Sequence, residues 1–368
     1  MLAHPPPRPR RRAWDAWTMA LRSPLPVKNG VNATRLHLPL EGPWPTIQDY
    51  VLSRFGHVDA AGLRRRFASG EVRGIGGTVI EAATALGAHE FIWYYRDAPQ
   101  ENPVPFHEHI LHLDADLLAV DKPHFLPTTP GGRFVQQSAL VRLRNRLGLP
   151  HLTPMHRLDR ATAGVILFSV RPETRGDYQY LFERRGIRKE YEAVSALPTG
   201  WDPQRPALAQ TPLPLTYRNH IDKVKGTLRV VVSEDKDPNA ESIVELIGTG
   251  ISAGTHAGLP VLHTRLRPRS GRTHQLRVHL AALGAGILND AFYPDLWDEA
   301  PDDYARPLQL LARSIAFTDP LSGRERSFRS VRRLSELPAQ PGPSGLPGLP
   351  GLPGLPAVSA VPAAVATP

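Results

Sequence analysis

The run ATAGVILFSV, Ala161–Val170, constrains the fold more than any other stretch of this chain. An apolar, β-branched run of this kind reads as a core strand. The residues before it, MHRLDR, set one acid, Asp159, between Arg157 and Arg160. That acid should lie at the mouth of the strand, where a rigid element can hold it. Two readings follow. Asp159 is a turn aspartate paired with a neighbouring arginine, or it is an ionised carboxylate placed for chemistry. Nearby guanidinium groups favour the charged form of a carboxylate, which is the nucleophilic form.

A second cluster, RPRSGRTHQLRVH, holds Arg267, Arg269, Arg272 and Arg277. Its loop, with Gly271, suits phosphate oxygens, and the helix beyond adds partial positive charge. THQLRVHLAALG predicts that helix. Thr273 can cap it, Leu276, Leu280 and Leu283 form its apolar face, and Gly284 stops it. Arg277, about one turn inside, could reach an acid docked beside the helix. His274 and His279 read as capping or packed histidines, because their spacing is not that of a zinc pair and no third ligand is evident. In RKEYEAV the alternation places Tyr191, Ala193 and Ser195 on one face, with Lys189 at its edge. Tyr191 is then a core tyrosine, or a ring that stacks on a flat base. GIGG at 74–77 lacks the Lys-Ser/Thr of a phosphate loop.

The charge balance narrows the partner. A net charge of +9 favours a polyanion, either nucleic acid or a membrane surface. There are no cysteines, which removes disulfides and thiolate sites and suits a reducing cytosol. The basic start is not followed by an apolar signal region, and no run approaches a membrane span, so a cytoplasmic protein is expected. Residues 1–45 form a basic Pro/Arg-rich extension whose first 18 residues are expected to be disordered, with Met19 as a second candidate start. Residues 46–98 form a small module of two helical stretches followed by short strands. After a linker ending near Phe106, residues 107–335 form the main domain. The Gly-Leu-Pro repeats of 338–368 read as a disordered tail.

Four stretches in order resemble the RluA-type RNA pseudouridine synthases. They are DADLLAVDKPHFLPTTP (Asp114–Pro130), HRLDRATAGVILF (His156–Phe168), RKEYEAV (Arg188–Val194) and SGRTHQLRVHLAALGAGILND (Ser270–Asp290). The likeness spans roughly residues 107–330, and 46–98 resemble an S4 RNA-binding module. The chain departs from the family pattern at Ala163, Ala285-Gly286, Asn289 and Leu311. The resemblance implies an α+β pseudouridine synthase fold, with a mixed, largely antiparallel central sheet flanked by helices. It implies Asp159 as nucleophile, Tyr191 against the uracil and assisting proton removal, Arg277 paired with Asp159, and Arg157 wedged into the RNA. The candidate RNA contacts are Arg157, Arg160, Lys189, Arg269, Arg272 and His274. The expected partner is RNA, ribosomal before transfer, met by a monomer with no cofactor and no metal. A non-catalytic RNA-binding protein of the same fold, or a carboxylate hydrolase using Asp114, Asp116 or Asp121, are the rival readings.

Overall fold

The computed structural model describes residues 23–97, 100–296 and 302–338. The expected disorder of residues 1–18, the start at Met19 and the tail beyond Pro338 lie outside the described residues. In chain order the elements begin with β1 (Thr34–His37), α1 (Ile47–Ala68), β2 (Phe91–Tyr94), β3 (His109–Leu113) and β4 (Leu117–Lys122). There follow α2 (Ala139–Leu147), β5 (Thr153–Pro154), β6 (Ala163–Ser169), α3 (Arg175–Glu183), β7 (Ile187–Ala196), β8 (Ala207–Leu208) and β9 (Thr211–Pro212). The last are β10 (Leu215–Asp222), β11 (Val231–Ser233), β12 (Ala240–Ile251), β13 (Pro260–Pro268), α4 (Gln275–Ala282), β14 (Leu310–Thr318) and β15 (Glu325–Arg329).

One large sheet runs in the order β11-β10-β12-β13-β7-β14-β6-β4-β3, with β15 on β14 and β5 on β6. Its one parallel contact joins β6 to β14; the other pairs are antiparallel. This is the mixed, largely antiparallel sheet that the family resemblance implies. Every residue of β6 is buried, and each such Val, Ile, Leu or Phe contributes roughly 1.5–3 kcal/mol over an exposed position. The parallel contact depends on Gly164. It sits at φ +114°, and a Cβ there would stand 2.2 Å from the Ala312 carbonyl oxygen, so only glycine lets the two backbones meet.

Alternation along the strands sorts the helices. Leu118 and Val120 of β4 face α2, whose Leu140 and Leu143 join them in one core. Leu117 and Ala119 face Tyr178 of α3 on the other side. Leu276 and Leu280 of α4 pack on Ala193, Leu262 and Leu266 beside the first core. Residues 34–94 hold a core of their own, with Ile47, Val51, Leu63 and Phe67 of α1 against Leu38, Ile80 and Ile92.

Several local expectations change. The two helical stretches of residues 47–68 are one helix broken at Asp59 (φ −159°, ψ 71°). The Asp59 carboxylate accepts the Gly62 N–H and the Arg66 guanidinium, so it caps the second half from inside. Of the short strands expected after it, only β2 forms a ladder; Gly76 and Gly77 turn the chain at positive φ. TLRVVVS shortens to β11, because Thr227 Oγ1 closes a turn on the Val224 and Arg229 carbonyls and the Val230 N–H goes to Tyr293. α4 starts at Gln275, not after a Thr273 cap. His274 holds the cap position without a capping bond, and the Gln275 side chain accepts the Arg272 N–H instead.

Candidate active site

The turn before β6 carries Asp159. Its carbonyl accepts the Thr162 N–H. One residue earlier, Leu158 donates its N–H to Thr128 Oγ1 at 3.1 Å and accepts that hydroxyl's proton at 2.8 Å. Beneath the turn lies Lys122, fully buried at the end of β4. Its amine donates to the carbonyls of Pro123, Leu126 and Arg160. Burial pushes the Lys122 pKa down to about 7, against a smaller upward pull from Asp159. The turn is therefore tied from two sides, and the Asp159 side chain remains 31% exposed above it.

Arg277 approaches from α4. Its Nη1 stands 3.5 Å from Asp159 Oδ2, longer than an ordinary N–H···O bond. Its main partner is Asp290, which accepts Nε at 2.7 Å and Nη2 as well. Phe292 and Tyr293 carry the same guanidinium on their rings, at 4.9 and 5.4 Å. Burial opposes the charge on Arg277, but the Asp290 hydrogen bonds and the charges of Asp290 and Asp159 outweigh it and raise its pKa. The guanidinium is thus a fixed cation that Asp159 shares with a deeper carboxylate.

Tyr191 sits on β7 where the cores of α2 and α4 meet, packed against both. Burial first, then the charge of Asp159, pushes its phenol well above the usual range. It stays protonated, an apolar ring with a hydrogen-bonding tip.

Asp159, Tyr191 and Arg277 line one cavity of about 1460 Å³, together with Arg157, Lys189, Arg269, Arg272 and His274. That exceeds the roughly 300–1000 Å³ of a small-molecule pocket and suits a nucleotide with its flanking phosphates. Arg157 is exposed at the rim. Lys189 has no anionic partner among the described residues, and burial lowers its pKa. Arg269 pairs with Glu241 at 2.9 Å, and Arg272 donates to the Asn239 carbonyl. His279 points away and bonds Asn219 at 2.8 Å, a packed histidine as its sequence context predicts. His274 is packed and holds the cap position, without a capping bond, and its Nε2 also faces Asp159 Oδ2 at 3.9 Å.

Arg160 does not join the cavity. Its guanidinium grips both oxygens of Asp302, donates to the Phe125 carbonyl and lies over the Phe134 ring at 4.9 Å. Those contacts use the donors that would otherwise meet a phosphate. Sequence reasoning also missed Lys122 and Asp290. Lys122 follows the apolar run LLAV inside the first quoted stretch and Asp290 ends the last one, and a charged residue closing an apolar run is the signal that could have marked them.

Lys122 makes a pH-dependent prediction. Its folded pKa lies below the unfolded value of about 10.4, so between pH 7 and 10 the unfolded chain binds more protons. The stability from this group is full above the unfolded pKa and fades as pH falls towards 7. Denaturant unfolding at pH 7 and pH 9 should show wild type gaining on Lys122→Met at the higher pH. A parallel pair of curves would remove the buried amine from the account.

The sequence model of a family described as RNA pseudouridylate synthase matches residues 116–282, which contain Asp159, Tyr191 and Arg277 but not Asp290. An uncharacterized RNA pseudouridine synthase of Synechocystis sp. is 28% identical over 67% of this chain and 78% of its own length. The dual-specificity RNA pseudouridine synthase RluA of Escherichia coli is 30% identical over 60% of this chain and 91% of its own. Among solved structures, human RNA pseudouridylate synthase domain containing 1 is 20% identical, with a TM-score of 0.48 over 63% of this chain and 86% of that one.

Proposed function

The chain belongs to the RluA-type RNA pseudouridine synthases, and from that premise we propose that it isomerises specific uridines of ribosomal RNA with Asp159 as the acting carboxylate. The observation that carries this reading is the convergence of Asp159, Tyr191 and Arg277 on one basic-rimmed cavity.

The reaction cuts N1–C1′, turns the uracil and joins C5 to C1′, with the C5 proton lost and one gained at N1, so no atoms are gained or lost overall. The uridine must first leave its stack, at a cost of a few kcal/mol. Arg157, exposed at the rim, fills the gap it leaves, and Lys189, Arg269 and Arg272 meet the flanking phosphates. Inside, Tyr191 packs against the base. Asp159 then acts at C1′, at C6 or on the 2′ proton, and each route uses a charged carboxylate oxygen. Arg277 compensates that charge as water leaves, and its 3.5 Å approach has room to tighten in the complex. Arg54, Arg64 and Arg65 are exposed on α1. In this reading the 46–98 module adds RNA contacts, and the enzyme acts as a cytoplasmic monomer. Ribosomal RNA is favoured over transfer RNA by the sequence resemblance.

Incubation with uridine-rich RNA and digestion to nucleosides tests the reaction. A pseudouridine peak is expected; release of phosphate or free sugar would point to hydrolysis. Pseudouridine mapping in a deletion strain identifies the RNA, with sites lost from ribosomal RNA expected. Tyr191→Leu removes the stacking ring but keeps bulk. Stacking on an aromatic is worth about 1–3 kcal/mol per base, so kcat/KM should fall roughly 10- to 100-fold. Turnover within twofold of wild type would take Tyr191 off the base.

A further inference from the structure

His274 has so far been only a candidate RNA contact lining the cavity, yet its surroundings point to which of its nitrogens carries a proton. It holds a left-handed backbone, φ +54°, which is uncommon for a residue with a side chain. Its ring is 10% exposed and lies against Phe292 and Tyr293. Nδ1 is 3.0 Å from the Tyr293 hydroxyl oxygen. That same oxygen accepts the Val230 N–H at 2.8 Å.

The direction of the Tyr293 bond follows from counting donors. Tyr293 is 5% exposed, so water does not reach it freely. The Val230 N–H can only donate. Among the described residues, His274 Nδ1 is the one acceptor in reach of the Tyr293 proton. The tyrosine therefore donates to Nδ1. A neutral imidazole that accepts at Nδ1 carries its proton at Nε2, and burial lowers the His274 pKa, favouring the neutral ring. The Nε2–H faces Asp159 Oδ2 at 3.9 Å, and Arg277 Nη1 faces the same oxygen at 3.5 Å. No donor approaches Oδ1 among the described residues.

We propose that His274, held by Tyr293 with its proton on Nε2, is a positioning residue that joins Arg277 on Asp159 Oδ2 and leaves Oδ1 as the oxygen that meets the nucleotide. The two donors come from one short helix start, residues 274 and 277. They orient the carboxylate plane as well as compensating its charge, which a single guanidinium at 3.5 Å does less well. The hairpin of residues 222–231 enters the same chain of bonds through Val230. This assignment rests on the reading of Asp159 as the acting carboxylate.

The test separates the two. Long-range proton–nitrogen spectra of histidine-labelled protein, with the His274 signal assigned by its loss in His274→Gln, should show a protonated Nε2 and a bare Nδ1 in wild type. In Tyr293→Phe the two tautomers should mix. Turnover should then drop roughly 10-fold, the scale of one lost orienting hydrogen bond, with KM within twofold. His274→Gln, which keeps an amide donor near the Nε2 position, should retain more activity than His274→Leu. A protonated Nδ1 in wild type, or unchanged kcat in Tyr293→Phe, overturns the proposal. Full activity in Asp159→Asn would instead overturn the reading of the carboxylate, and the tautomer result would stand apart from it.

Discussion

Replacing Asp159 by asparagine is expected to abolish pseudouridine formation while RNA binding persists. The amide has the shape of the carboxylate but neither its charge nor its nucleophilicity, so the three routes open to Asp159 fail together. Loss of a group that acts on the reacting atoms costs at least about 10⁴-fold, or roughly 5.5 kcal/mol at about 1.4 kcal/mol per decade. In the proposed reading binding rests on other groups: Arg157, Lys189, Arg269 and Arg272 line the same cavity and are not bonded to Asp159. The fold should also be indifferent, because the side chain is 31% exposed and its nearest cation has Asp290 as first partner. The measurements are single-turnover conversion of uridine-rich RNA and a salt-matched binding titration. Undiminished pseudouridine in cells carrying only Asp159→Asn would end the assignment.

Arg277→Met should injure both stability and catalysis, for different reasons. Asp290 has a fully buried carboxylate, and Arg277 is its counter-charge. Breaking a buried pair by removing one partner costs about 3–5 kcal/mol, a fall in Tm of roughly 6–20 °C for a domain of this size. Adding Asp290→Asn removes the stranded charge yet keeps an acceptor for the Phe292 and Tyr293 N–H groups. The double variant should recover most of the stability, since a buried pair is often no better than its neutral replacement. Its turnover should stay low, because Asp159 still lacks the guanidinium. Thermal unfolding and turnover measured on the same samples separate the two effects. Recovery of both in the double variant would reduce Arg277 to a structural role.

Much of the site was legible because its parts are short and local. HRLDR followed by an apolar run told where an acid meets a core strand. The alternation in RKEYEAV told which face Tyr191 takes, and the helix read in THQLRVHLAALG told that Arg277 could reach sideways. Where reading failed, the cause was contact across sequence distance. Arg160 is next to Asp159 in the chain, and adjacency suggested a shared anion. Successive side chains in a turn diverge, however, and Asp302, 142 positions away, takes the guanidinium. Arg267, read with the phosphate-facing arginines, does line the cavity, but it sits on β13 and pairs with Glu245 and Glu190 across the sheet. Asp290 stayed unnoticed because a carboxylate 13 positions after an arginine has no fixed geometry until α4 packs against the sheet.

By itself the sequence determined the buried run at β6 and singled out Asp159, Tyr191 and Arg277 as candidates, while the α+β class came from the family resemblance. Periodicity and neighbouring charge are properties of a few consecutive residues, so a linear reading captures them. Only the tertiary structure decided which oxygen of Asp159 Arg277 approaches and which arginine is withdrawn, and it supplies the contacts from which the His274 tautomer is inferred. Those depend on bond directions among β4, α4 and the 222–231 hairpin, elements brought together by packing rather than by order in the chain.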